Sequence, residues 1–288
     1  MIGSYLRWVG GKTQLASELI RRLPEKFERY LEPFCGSAAL FFCYYGSLRN
    51  YDMFSTQDAV PALLNDSNEA LINCHQCIAN RPIAVWPHIN SLAAEHAADP
   101  EGVYYRIRKT FNRMDGDSFR KAAEFIYINK TCFNGLWRVN SSGDFNVPSN
   151  GSKRFRISWL ALQRCWLLFR DHATLSCGGY AEFLWSKVRK GDFVFLDPPY
   201  IPLSTTSSFT SYTQDGWTDR DNLQLADILS QLDSIGVKFL MTNSSSPLVY
   251  ELFGKWNIQE VKAHRFVKAL SGSGGKRDKV EETVITNY

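Results

Sequence analysis

The chain predicts an α/β protein in which a parallel sheet is interrupted by a mostly helical module, and three observations carry that expectation. Near the amino end, Tyr30-Leu31-Glu32-Pro33 has the character of a short extended segment, Phe34-Cys35-Gly36-Ser37 of a tight turn and Ala38-Ala39-Leu40-Phe41-Phe42 of a helix start; the apolar run Ala62-Leu63-Leu64 then ends in Asn65-Asp66, with a helix from Asn68 onward. From about residue 160 the same alternation of strand and helix returns. Between them, from about 75 to 158, helical segments precede a hairpin pattern and the alternation is lost.

Taken in order, Arg7-Trp8-Val9-Gly10-Gly11-Lys12 forms a glycine turn that feeds a helix with apolar positions Leu15, Leu19, Ile20 and Leu23 before Pro24. In the central module the spacing predicts helices near 101–112 and 119–132, then a hairpin from Leu136 to Val147 around the polar turn Ser141-Ser142-Gly143-Asp144. Beyond it, strands are expected at Thr174–Cys177, Phe193–Leu196, Val237–Thr242, Asn257–Ala263 and Val280–Thr286, with helices near 181–187, 219–235 and 247–253. The expected domains are therefore 1–74 with 159–288, and an inserted module at 75–158. The Ser/Thr-rich stretch 204–211 and the Gly/Ser/Lys-rich stretch 268–279 are expected to be loops.

Bulk properties bound the possibilities. With 288 residues, one catalytic domain plus a smaller inserted one fits, and 44% hydrophobic against 22% charged residues is ordinary for a folded chain and excludes a disordered one. A formal net charge of +4 is compatible with a nucleic-acid partner without requiring one. No leader-like apolar region opens the chain and no stretch of 18 apolar residues occurs, so a cytoplasmic location is expected and no membrane role. Seven cysteines scattered through apolar segments suit buried, reduced thiols. Cys74-His75-Gln76-Cys77 has metal-ligand spacing, but it falls in a helical pattern with no second pair, which favours ordinary helix residues over a zinc or redox site.

The strongest chemical signal is Asp197-Pro198-Pro199-Tyr200 at the carboxyl end of the apolar strand Phe193-Val194-Phe195-Leu196, the end at which open α/β sheets bind ligands. Two prolines donate no backbone hydrogen bond and keep the chain extended, so the Asp197 carboxylate and the Pro198 carbonyl act as two acceptors aimed at one point. Their match is an exocyclic amine with two hydrogens. Accepting both draws the nitrogen lone pair out of conjugation and makes a nucleophile of it, while Tyr200 is suited to stack on the ring.

This tetrapeptide resembles motif IV of the amino-methyltransferases, whose N6-adenine members carry Asp at the first place. Glu32-Pro33-Phe34-Cys35-Gly36-Ser37-Ala38 resembles their motif I, with Ser37-Ala38 departing from the usual two-glycine form, and Arg7-Trp8-Val9-Gly10-Gly11-Lys12 resembles their motif X. Gly11-Lys12-Thr13 also suggests a phosphate loop, but the earlier glycine that loop needs falls on Leu6. The resemblance implies a Rossmann-like S-adenosylmethionine-dependent methyltransferase sheet that releases S-adenosylhomocysteine and needs no metal. It implies a cofactor site of Trp8, Lys12, Phe34, Gly36, Asp66, Tyr180 and Asp197, and a catalytic set of Asp197, Pro198 and Tyr200. Asp66 suits acceptance from ribose hydroxyls and equally a helix cap before Ser67-Asn68-Glu69. Cys177-Gly178-Gly179-Tyr180 lacks the Gly-Asp pair frequent in relatives.

The motif order matches the α-group, whose inserted module reads DNA. Tyr127 to Asn140, followed by Phe145-Asn146-Val147-Pro148, resembles the recognition hairpin of Dam-type GATC adenine methyltransferases. The resemblance implies that Phe133 wedges into the duplex, that Asn134 stabilises the opened step, and that Leu136, Arg138 and Pro148 contact the recognition sequence. The chain departs from the family at Phe133, where Tyr is common, and at Arg7, where Lys is common and contacts the first guanine. Arg138 suits guanine O6 and N7, with a solvated or phosphate-bound arginine as the alternative. Ser204, in the loop after the Asp-Pro-Pro-Tyr segment, suits a phosphate oxygen. The implied partner is double-stranded DNA, with or without a companion restriction endonuclease acting on the same site; N4-cytosine or RNA adenine methylation on the same scaffold, or a catalytically silent DNA-binding module, are the alternatives.

Overall fold

The computed structural model describes residues 2–48, 59–114, 118–203, 217–264 and 279–288. Among them the elements run α1 (Ala16–Ile20), β1 (Tyr30–Glu32), α2 (Ala39–Leu48), β2 (Ala62–Asp66), α3 (Glu69–Asn80), α4 (Pro82–Ala98), α5 (Pro100–Phe111), α6 (Phe119–Thr131), α7 (Trp159–His172), β3 (Ala173–Cys177), α8 (Tyr180–Lys187), β4 (Phe193–Leu196), α9 (Asp219–Ser234), β5 (Lys238–Ser244), α10 (Pro247–Phe253), β6 (Asn257–His264) and β7 (Lys279–Thr286). None of these helices is long and apolar enough to cross a membrane.

The strands form one sheet in the order β3-β2-β1-β4-β5-β7-β6. The five from β3 to β5 are parallel, as expected. At the far edge the sheet turns mixed: β7 slots between β5 and β6 and runs antiparallel to both. β7 pairs with β6 along Asn257–His264 and with β5 along Leu240–Ser244.

Sequence alternation along the strands assigns side chains to two cores. Tyr30, Phe193, Phe195 and Leu240 point to one face, while Leu31, Val194, Leu196, Phe239 and Met241 point to the other. Being covered on both faces, β4 is a run of four buried apolar residues, each contributing about 1.5–3 kcal/mol by burial. α8, α9 and α10 cover the second face. The first carries α2, α3 and α7, and the central helices continue the same layer: Phe125 and Ile126 of α6 share a core with Phe41, Phe42 and Phe169. The expected junction after residue 74 falls inside α3.

One helix was missed and one expectation is corrected. α4 was hidden in the sequence by its interior Pro87, which sits within a helix whose Val85, Ile89 and Leu92 are buried on one side. The hairpin from Leu136 to Val147 keeps its antiparallel course but forms only isolated bridges, Val139 with Phe145 and Cys132 with Ser149. Its shape is set by single bonds, Asn146 N–H to the Arg138 carbonyl at 3.1 Å and Asn140 N–H to the Asp144 carbonyl at 2.9 Å.

Candidate active site

β1 lies between β2 and β4, so the sheet's strand order reverses there, and the carboxyl ends of β1 and β4 are where an open α/β sheet takes its ligand. Motif residues from both strands meet there. The Asp197 carboxylate accepts from Lys12 Nζ through Oδ2 at 2.7 Å and from Thr242 Oγ1 through Oδ1 at 2.7 Å. Each oxygen keeps a further lone pair for another donor. Lys12, only 6% exposed, also donates to the Gly10 carbonyl at 2.5 Å, and its ammonium lies 5.0 Å from the centre of the Tyr200 ring. Burial pushes the Asp197 carboxyl up, and the Lys12 charge and hydrogen bond oppose that.

The proline pair cannot anchor itself through N–H groups, and neighbouring strands supply the anchors. Ile201 N–H donates to Asn243 Oδ1 at 3.0 Å, Ser244 Oγ donates to the Ile201 carbonyl at 2.5 Å, and the Tyr200 hydroxyl donates to Glu282 Oε2 at 2.7 Å. Thr242, Asn243, Ser244 and Glu282 escape sequence reasoning. Their one signal is a polar run, Thr242-Asn243-Ser244, closing an apolar strand whose every residue after Lys238 is buried.

The turn after β1 forms a narrow cradle. Gly36 has φ +49°, and a Cβ there would meet the Trp8 indole nitrogen at 2.9 Å, so glycine is required. Ala38, standing where the usual second glycine would, is held at φ +53°, a conformation that costs a residue with a Cβ about 1 kcal/mol. Gly36 N–H donates to Asp66 Oδ2 at 2.9 Å and Asn68 N–H to Asp66 Oδ1 at 3.0 Å. The helix cap belongs to Asn68, whose side chain accepts from Leu71 N–H at 3.0 Å, and Asp66 is left at the strand end facing the turn. Phe34 and Tyr180 lie with ring centres 5.0 Å apart, and Trp217, which the sequence did not single out, completes an aromatic trio at 5.7 and 5.4 Å.

Beneath this turn Glu32 is 1% exposed, accepting from the Tyr30 hydroxyl and, at 3.1 Å, from Phe41 N–H. Burial pushes its carboxyl up to about 8, against the lowering effect of those hydrogen bonds and with a further rise from Asp197. A folded value above the unfolded one means that Glu32 supports the fold fully below about pH 4.5 and progressively less as pH rises through about 8. Denaturant unfolding is therefore expected to show Glu32→Gln gaining stability relative to the parent between pH 5 and 8; a constant difference across that range would refute the assignment.

The expected DNA-contacting residues gather beside motif X. Arg7 is clamped by Asn129 of α6, which accepts from Arg7 N–H at 2.8 Å and donates to the Arg7 carbonyl at 2.6 Å. Gly135, at φ +68°, packs so closely that a Cβ would lie 2.8 Å from Arg7 Cβ. Phe133 N–H donates to the Pro148 carbonyl at 2.8 Å, and Asn134 is exposed at φ +54°. Arg138 is exposed, its Nε donating to Asn146 Oδ1 at 2.7 Å, while Leu136 is half-buried and Pro148 exposed. Trp137 roots the loop between Phe125 and Phe145, with ring centres at 5.0 and 5.1 Å, and stacks on Trp8 at 6.4 Å. Lys153, Arg154 and Arg156 follow as an exposed basic run that the sequence argument passed over. Ser204, with the rest of the expected loop 204–211, and residues 268–278 of the other expected loop lie outside the described residues.

Comparison with known proteins agrees in kind. Residues 8–267 match the family model of the D12 class N6 adenine-specific DNA methyltransferases. The chain is 36% identical over 290 residues to the type II methyltransferase M1.LlaDCHI of Lactococcus lactis subsp. cremoris, covering 99% of this chain and 95% of that one. It is 35% identical over 301 residues to the type II methyltransferase M.MjaIII of Methanocaldococcus jannaschii, covering 99% and 98%. A DNA adenine methylase of Vibrio cholerae is 34% identical over 283 residues, covering 97% and 94%.

Proposed function

Because the chain belongs to the D12 class N6 adenine-specific DNA methyltransferase family, we propose that it extrudes the adenine of double-stranded GATC and methylates its N6 directly from S-adenosylmethionine. The observation that carries this is the half-buried Asp197 carboxylate at the carboxyl end of β4, held by Lys12 and Thr242, with the Gly36 turn following the adjoining strand β1. The target must leave the duplex because its amine is otherwise base-paired and stacked.

The site suits S-adenosylmethionine chemically. Gly36 permits close approach of the methionine part against Trp8 and Lys12, Asp66 keeps acceptor capacity for ribose hydroxyls, and Phe34 and Tyr180 offer faces to adenine. When bound, the cofactor supplies an electrophilic methyl group on a sulfonium, leaving S-adenosylhomocysteine. Asp197 and the Pro198 carbonyl accept hydrogen bonds from the two amine hydrogens and raise the nucleophilicity of N6, and one of those hydrogens leaves as a proton by way of the Asp197 carboxylate once N6 is methylated. Tyr200, held by Glu282, stacks on the base. Lys12 and Thr242 favour the ionised form of Asp197 and oppose the upward push of burial. No covalent enzyme intermediate is involved.

Residues 1–74 and 159–288 act as the catalytic domain and 75–158 as the recognition module. Phe133 and Asn134 serve the opened step, Leu136, Arg138 and Pro148 face base edges, and Arg7 faces the first guanine. Lys153, Arg154 and Arg156 are placed to meet phosphates. The chain acts alone or beside a restriction endonuclease that cuts the same site without a stable complex; two of its relatives are named type II methyltransferases. A tritiated-cofactor assay tests the specificity: label is expected in GATC duplex and in neither GTTC duplex nor RNA, and Arg138→Ala is expected to narrow discrimination by about 1–3 kcal/mol, roughly 5- to 150-fold. Equal labelling of GATC and GTTC, or label only in RNA, would contradict it.

A further inference from the structure

The Cys74-His75-Gln76-Cys77 segment lies on α3 with both thiols buried and neither in a disulfide among the described residues. Its histidine has a defined place. His75 is fully buried; its Nε2 lies 2.8 Å from the Gly36 carbonyl oxygen and its Nδ1 2.6 Å from the Tyr5 hydroxyl. Edge contacts with Tyr5 and Phe169, at ring centres of 5.7 and 5.2 Å, hold the ring in that orientation.

A carbonyl only accepts, so Nε2 must carry the hydrogen; Nδ1 is then bare and accepts from Tyr5. Burial keeps the imidazole neutral by pushing its pKa down to about 4. Gly36 is thereby held at both ends, its N–H by Asp66 and its carbonyl by His75, while Trp8 closes its face. A trans peptide is planar, so fixing the Gly36 carbonyl toward α3 also directs the following Ser37 N–H away from α3. Without this donor the Gly36 carbonyl would keep only the weak Cys35 thiol contact at 3.8 Å, in the turn whose left-handed residues, Gly36 and Ala38, shape the cradle.

We propose that His75 is a positioning residue for cofactor binding: as the Nε2–H tautomer, oriented by Tyr5, it locks the Gly36 carbonyl and so the cradle that takes S-adenosylmethionine. The inference rests on the cofactor site proposed above. Calorimetric titration of the full chain with S-adenosylhomocysteine tests it. His75→Phe, which keeps a ring and removes the donor, is expected to weaken binding about tenfold, and His75→Gln, which keeps an N–H near the Nε2 position, to recover most of the loss. Binding by His75→Phe within twofold of the parent, or no recovery with Gln, would overturn it. Should His75→Phe not fold, nitrogen NMR of the parent decides, since a neutral Nε2–H tautomer at pH 7 is expected and Nδ1–H would be contrary. Gly36→Ala separates the two levels: if it too binds normally, the cofactor site itself is wrong; if it alone loses binding, only the role of His75 fails.

Discussion

Asp197→Ala is expected to lower methyl transfer by ~10³-fold or more while S-adenosylhomocysteine still binds within a few-fold of the parent. The loss follows from the chemistry: without the carboxylate one of the two amine hydrogens has no acceptor, and the N6 lone pair stays in the purine ring. A secondary effect must be separated. Asp197 is the counter-ion of Lys12, which is 6% exposed, and stranding a buried ammonium can cost about 3–5 kcal/mol. Asp197→Asn keeps the shape and an oxygen for Lys12 or Thr242 while removing the charge. Single-turnover transfer by both variants, alongside their unfolding curves, distinguishes chemistry from stability; near-parental transfer by either would refute the role.

Lys12→Met is expected to reduce turnover at neutral pH about a hundredfold and to move the acidic limb of the pH-rate profile upward. The sign follows from what acts on Asp197. Burial raises its pKa and Lys12 lowers it, so removing Lys12 leaves burial opposed mainly by Thr242, and a higher pH is needed for the carboxylate form. If Lys12 only held the cofactor, the Michaelis constant for S-adenosylmethionine would rise and the profile would stay in place. An unshifted profile therefore contradicts the coupling of Lys12 to Asp197.

The parts of this site that are contiguous in the chain were legible. Strand, glycine turn and helix from Tyr30 to Phe42, and apolar strand followed by Asp197-Pro198-Pro199-Tyr200, announce their geometry because periodicity and turn chemistry are local. What was lost is what the sheet brings together from afar. Thr242 and Glu282 meet Asp197 and Tyr200 from neighbouring parts of the sheet, 45 and 82 residues away in the chain. The direction of β7 was equally hidden, since an alternating pattern reads the same along either course. Asp66 was ambiguous because a carboxylate there suits a ribose hydroxyl and a helix cap alike, and the structure gives the cap to Asn68. His75 was considered as part of a metal-like spacing because its partners, Gly36 and Tyr5, are 39 and 70 residues distant.

The most direct test of the central claim is nucleoside analysis of a GATC duplex after one turnover with labelled S-adenosylmethionine. N6-methyladenine is expected as the labelled product with the parent chain, and none with Asp197→Ala at saturating cofactor. Label in N4-methylcytosine, or N6-methyladenine formed equally well without Asp197, would contradict the assignment of this carboxylate as the acceptor for adenine's amine.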